Sequence, residues 1–125
     1  VAQEMRLSLE EAEKLVNKLN FRHADNTIVA VIQDSKTREV LTVGFMNREA
    51  LLKTLTTGYL HLWSTSRKKL WLKGETSGNI QIVMDVKVDC DADAVLVLVR
   101  PVGPICHTGN FSCFYRGLME LETGD

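Results

Sequence analysis

The sequence predicts an α+β fold with a largely β core and two short helices, in a single domain over residues 1–125. Three observations carry that prediction. Apolar residues recur at helical spacing in only two places, residues 8–20 and 47–55. From Tyr59 to Pro101 they fall in strand-like runs broken by glycine- and aspartate-rich turns. The 125 residues, 45% hydrophobic and 25% charged, suffice for one core and leave little room for a second.

The first helix is announced by Ser8 followed by Glu11, a capping-box pattern, and by Leu9, Ala12, Leu15, Val16 and Leu19 along one face. "TIVAVIQD" and "REVLTVGFM" flank the polar "SKT" and predict a β-hairpin. Asn47 then caps a helix running through Leu55, which Gly58 ends. Strands are predicted at "YLHLWS", "KLWLK", "NIQIVMDVKVD" and "AVLVLVRP". Beyond Pro101, "VGPICHTGNFSCFYRG" holds too many glycine, proline and small polar residues for a regular strand and predicts an ordered loop.

A net charge of -1 gives no global basic excess to favour nucleic acid, so anion binding has to come from local clusters. No apolar run approaches the length of a membrane span, and "VAQEMRLSLEEAEK" is polar and acidic where a signal peptide is basic and then apolar. The expected location is the cytoplasm, with no membrane partner. Three cysteines, Cys90, Cys106 and Cys113, cannot all pair within one chain, which leaves metal ligation, catalysis or burial.

The chemistry concentrates in "MDVKVDCDADAVLVLV", residues 84–99, where Asp89, Cys90, Asp91 and Asp93 interrupt an apolar alternation. Carboxylates packed this tightly repel one another and resist desolvation unless a cation or solvent compensates. On extended backbone the three aspartates share one face and Cys90 takes the other. The outer two Cα atoms are then roughly 13 Å apart, too far for one hard cation, so the segment must bend if all three share an ion. A helix–loop–helix calcium loop needs glycine at its sixth position and glutamate at its twelfth, where this chain has Ala94 and Arg100. Oxygen ligands favour magnesium, manganese or calcium; thiolates favour zinc, although the intervals of fifteen and six residues match no finger or ribbon. His107, beside Cys106, offers either a fourth ligand or a base. Adjacent side chains on extended backbone diverge, which favours a base, and a loop histidine bonded to backbone is the alternative.

"SRKKLWLKGETSGN" from Ser66, "DCDADA" from Asp89 and "GPICHTGNFSCF" from Gly103 together closely resemble the phosphoribosyl-AMP cyclohydrolase family of histidine biosynthesis, over roughly residues 25–115. The resemblance implies hydrolysis of the N1–C6 bond of the adenine ring in N1-(5-phosphoribosyl)-AMP by zinc-activated water, with magnesium assisting. The product is a formimino-carboxamide imidazole ribonucleotide. It implies an intertwined homodimer with a mixed, barrel-like sheet. Cys90 of one subunit would bind Zn2+ with Cys106 and Cys113 of the other, and Asp89, Asp91 and Asp93 would bind Mg2+. Alternation would let one segment serve two cations of different hardness. No fused pyrophosphohydrolase domain is expected, so the monofunctional, ring-opening form is implied. Many relatives carry a basic residue where Thr65 stands in "WSTSR".

The implied nucleotide substrate carries phosphates at both ends. Arg67, Lys69 and Lys73, with Lys68, offer charge; Gly74 and Gly78 allow close backbone approach; Thr76 and Ser77 donate hydroxyl hydrogen bonds. The order is not that of a Walker P-loop, and without the resemblance this would be a hairpin turn with solvated charges. Trp63 and Trp71 are the rings available to stack on a purine, with core packing as the alternative. His107 is the expected catalytic base, whereas His61 reads as a core or surface residue and His23 has no supporting pattern. Two other classes compete: a zinc module contacting RNA, and a thiol enzyme using Cys106 or Cys113 with His107. Chelation separates them, unfolding the first and sparing the second.

Overall fold

A computed structural model describes residues 4–123; residues 1–3 of the polar N-terminal stretch and residues 124–125 lie outside the described residues. Helix α1 spans Leu9–Val16, with the Ser8 hydroxyl accepting from the Glu11 amide at 3.2 Å. It stops short of residue 20 because the next turn tightens: Lys18 and Leu19 donate to Leu15 and Val16, and Asn20 donates to the Ala92 carbonyl at 2.7 Å. Ala12 and Val16 are buried, while Leu9 and Leu15 of the predicted apolar face stay exposed. Helix α2 spans Arg48–Thr57 between the Asn47 cap, which accepts from Ala50 N at 2.8 Å, and Gly58 at φ 81°.

Six strands form one sheet: β1 (Ile28–Asp34), β2 (Val40–Met46), β3 (His61–Ser64), β4 (Lys69–Leu72), β5 (Gln81–Val88) and β6 (Ala94–Pro101). Their order is β4-β3-β2-β1-β6-β5, antiparallel except for the interior β1–β6 pair, so the sheet is mixed. It also curls. Gly58 and Leu60, just before β3, hydrogen-bond to Val83 and Gln81 of β5 at 2.8 and 3.0 Å, so the far edge strand returns to the other side of the sheet. The predicted strand 59–64 therefore serves two partners, its first residues closing the curl and its last four pairing with β4. The α+β, barrel-like prediction holds.

The register sorts the side chains onto two faces. Ile28, Ala30 and Ile32 align with Val95, Val97 and Met46, and these join Ala12, Val16, Leu51 and Leu55 of the helices in the core. Val29, Val31, Val43, Phe45, Leu96 and Leu98 alternate with them and point the other way. None of those six belongs to the helix-packed core.

Candidate active site

The segment 84–99 is a hairpin, the two predicted strands joined at the aspartate cluster. β5 ends at Val88, β6 starts at Ala94, and Val88 pairs with Val95. The turn is built by Asp89, whose Oδ1 accepts from the Asp93 and Ala94 amides at 3.1 and 3.2 Å, and by Ala92 at φ 60°. The bend, and not strand alternation, gathers the aspartates: carboxylate oxygens of Asp89, Asp91 and Asp93 all lie within 4.8 Å of one another. Ligands bound to one hard cation at about 2.0–2.6 Å are separated by no more than about twice that distance, so this oxygen set fits such an ion.

The crowding shows in the titration of the cluster. Asp91 is pushed above the usual carboxylate range, chiefly by its hydrogen bonds to Asp93 and Asp89. Burial pushes Asp93 up too, but hydrogen bonds with Asp91, Arg22 and Asp89 outweigh it and bring its pKa to about 2. Arg22 Nε donates to Asp93 Oδ2 at 2.6 Å, and His23 Nε2 lies 3.2 Å from the same oxygen. Nothing in the sequence marked Arg22 or His23, because some seventy residues separate them from their partner.

The other two cysteines sit at the opposite end of β6, in the predicted loop. Cys106 N donates to the Asn110 carbonyl, and Gly109 N donates back to the Cys106 carbonyl, so residues 106–110 double back. Cys113 N then donates to Leu41 O at 2.7 Å, and Ser112 Oγ to Val40 O at 2.8 Å, docking the returning chain on β2. This puts the Cys106 and Cys113 thiols within hydrogen-bonding reach of each other. A contact of 3.0 Å with Thr108 Oγ1 lowers the Cys106 pKa, burial raises that of Cys113, and Lys73 favours the thiolate at both. Two adjacent thiols, one inclined to ionise, suit a soft cation. Cys90 is not with them. It lies exposed in the β5–β6 turn, and β6, of eight residues, separates that turn from the loop by roughly 23 Å.

A cleft of about 770 Å³ adjoins the loop. Its lining includes Arg67, Lys69, Lys73, Thr76 and Ser77, and also Cys106 and His107. Lys68 is diverted: its ammonium pairs with Asp25 at 2.7 Å. Of the two tryptophans, Trp71 lines the cleft under the Lys73 ammonium, 4.9 Å from its ring, whereas Trp63 donates to Asp25. Thr65 lies in a smaller neighbouring groove, so the departure from the family pattern falls outside the cleft lining. His61 is half-buried and bonded through Nδ1 to the Tyr59 carbonyl, away from the cleft.

The chain's similarity to known proteins agrees with this arrangement. The family model described as phosphoribosyl-AMP cyclohydrolase matches residues 42–115. A phosphoribosyl-AMP cyclohydrolase of Sulfurisphaera tokodaii is 68% identical over 117 residues, covering 94% of this chain and 99% of the relative. One of Methanothermobacter thermautotrophicus is 60% identical over 80% of this chain and 75% of its own. A histidine biosynthesis bifunctional protein of Pyrococcus furiosus is 52% identical over 90% of this chain, which spans 53% of that protein. With the matched residues running from β2 through the cleft and both cysteine-bearing segments, the chain belongs to the phosphoribosyl-AMP cyclohydrolase family, enzymes of histidine biosynthesis.

Proposed function

We propose that the chain opens the adenine ring of N1-(5-phosphoribosyl)-AMP by hydrolysis of the N1–C6 bond, in the cytoplasm, as a homodimer using zinc and magnesium. The observation that carries this reading is the cleft, in which the phosphate-binding candidates meet Cys106 and His107. Arg67, Lys69 and Lys73 bind one substrate phosphate by charge, and Thr76 and Ser77 add hydroxyl hydrogen bonds. Trp71 offers its ring to the purine.

Cys106, Cys113 and the partner's Cys90 would hold zinc, a soft cation suited to thiolates. When bound, zinc would supply the Lewis acidity that makes water a nucleophile near neutral pH. His107 takes the proton released as water oxygen bonds to C6, and delivers it to N1 as the C6–N1 bond breaks. Asp89, Asp91 and Asp93 would hold magnesium, which offsets phosphate charge. Substitution at N1 removes the neutral aromatic tautomer of adenine and makes C6 an amidinium-like, electrophilic centre.

Two features support a second copy of the chain as the partner. Cys90 lies a strand's length from the other two thiols. The outer sheet face carries Val29, Val31, Val43, Phe45 and Leu96 outside the helix-packed core, and Phe114, Leu118 and Met119 are 62%, 80% and 68% exposed. No helix among the described residues is long and apolar enough to cross a membrane.

The test is ring opening followed by absorbance, with zinc and magnesium present, for wild type beside Cys106→Ala. Turnover lost in the variant supports the assignment. A folded, metal-loaded wild type without turnover refutes it, and turnover that survives chelation but not alkylation points to a thiol enzyme.

A further inference from the structure

Asn79 lines the cleft and stands between the two segments that build it. Its backbone is held from both sides. The N–H donates to Ser77 Oγ at 3.2 Å, and the carbonyl accepts from Gln81 Nε2 at 3.1 Å. Gln81 is fully buried, and the same Nε2 donates to the Gly103 carbonyl at 3.3 Å, tying residue 79 to the loop that carries Cys106.

Two glycines make room for this one residue. A Cβ on Gly74, at φ 89°, would fall on the Asn79 carbonyl group, and a Cβ on Gly103 would fall on Asn79 Oδ1. Yet among the described residues nothing hydrogen-bonds the Asn79 carboxamide. A structural asparagine commonly spends its amide on nearby backbone. Here the backbone is tied down, Gly103 leaves room beside Oδ1, and the carboxamide's polar atoms are left for whatever enters the cleft.

We propose that the Asn79 carboxamide binds the ribose hydroxyls of the nucleotide. The proposal rests on the reading above, in which residues 67–77 take a phosphate and the Cys106 loop marks the reacting carbon. A sugar ring is what separates phosphate from base in a nucleotide, and Asn79 lies between those two segments. The chemistry matches: a carboxamide presents one acceptor and two donors in a plane, and each hydroxyl of a vicinal diol both donates and accepts.

The experiment is calorimetric titration of zinc-loaded protein with AMP and with 2′-deoxy-AMP, for wild type, Asn79→Ala, Gly103→Ala and the double variant. Wild type is expected to bind AMP about tenfold more tightly than the deoxy nucleotide, and Asn79→Ala to bind the two alike. Gly103→Ala should behave like Asn79→Ala, because its methyl turns the carboxamide aside, and should cost nothing further in the double variant. Asn79→Ala only removes atoms, so it keeps the test interpretable if Gly103→Ala fails to fold. A wild type that does not discriminate, or discrimination that survives in Asn79→Ala, overturns the proposal. Discrimination lost in Asn79→Ala, in a wild type that never opens the adenine ring, would uphold the ribose contact and overturn the reaction instead.

Discussion

Mixing two inactive variants tests the shared cysteine site directly. Zinc–thiolate bonds of about 2.3 Å require the three sulfurs to converge within about 4 Å. β6, Ala94–Pro101, places roughly 23 Å of strand between the Cys90 turn and the Cys106 loop of the same chain. If all three cysteines hold zinc as proposed, each site would draw Cys90 from one subunit and the pair from the other. Cys90→Ser and Cys106→Ser should each lose turnover and bound zinc. When the two are co-expressed with distinguishable tags, half the dimers are mixed. A mixed dimer has one site with both substitutions and one with neither, so the pool should recover roughly a quarter of wild-type turnover and zinc. Turnover and metal content are read on the doubly tagged, purified heterodimer, where each should approach half. A verified heterodimer with neither restored would refute the shared site, as would Cys90→Ser alone with full zinc.

Further outcomes follow from individual side chains. His107→Ala should lower kcat by about 10²–10⁴ while zinc content stays at the wild-type level, and an unchanged kcat would remove His107 from the mechanism. The Asp25 carboxyl is held below its ordinary value by hydrogen bonds from Lys68 and Trp63. Its contribution to stability should be complete above the unfolded pKa near 3.8 and fade as pH falls through the lower folded value. Melting temperatures of wild type and Asp25→Asn should accordingly differ at neutral pH and converge in acid; a pH-independent gap would contradict this. Ile32 is fully buried between helices and sheet, and Ile32→Ala should cost about 2–5 kcal/mol in urea unfolding, with turnover per folded molecule retained.

Where local chemistry dominates, the chain could be read directly. Ser8 and Asn47 cap the helices they were expected to cap, Gly58 takes the left-handed conformation that ends α2, and β6 runs from Ala94 to Pro101 as its apolar run suggested. The basic and hydroxyl residues around Gly74 were legible as a possible anion site because they are neighbours in sequence. Arg22, His23 and Asn79 were not legible. Each acquires its significance from a group reached only through folding: Arg22 and His23 from Asp93, Asn79 from Gly103.

Alternation and spacing, then, were enough for the α+β class and the strands, since these depend on residues a few positions apart. The tertiary structure decided the rest. It bent residues 89–93 so that three carboxylates converge, where an extended strand would have spread them apart. It doubled the 103–113 loop back so that Cys106 meets Cys113, and it put a strand's length between that pair and Cys90. Long-range backbone pairing sets those distances, and no local pattern encodes them.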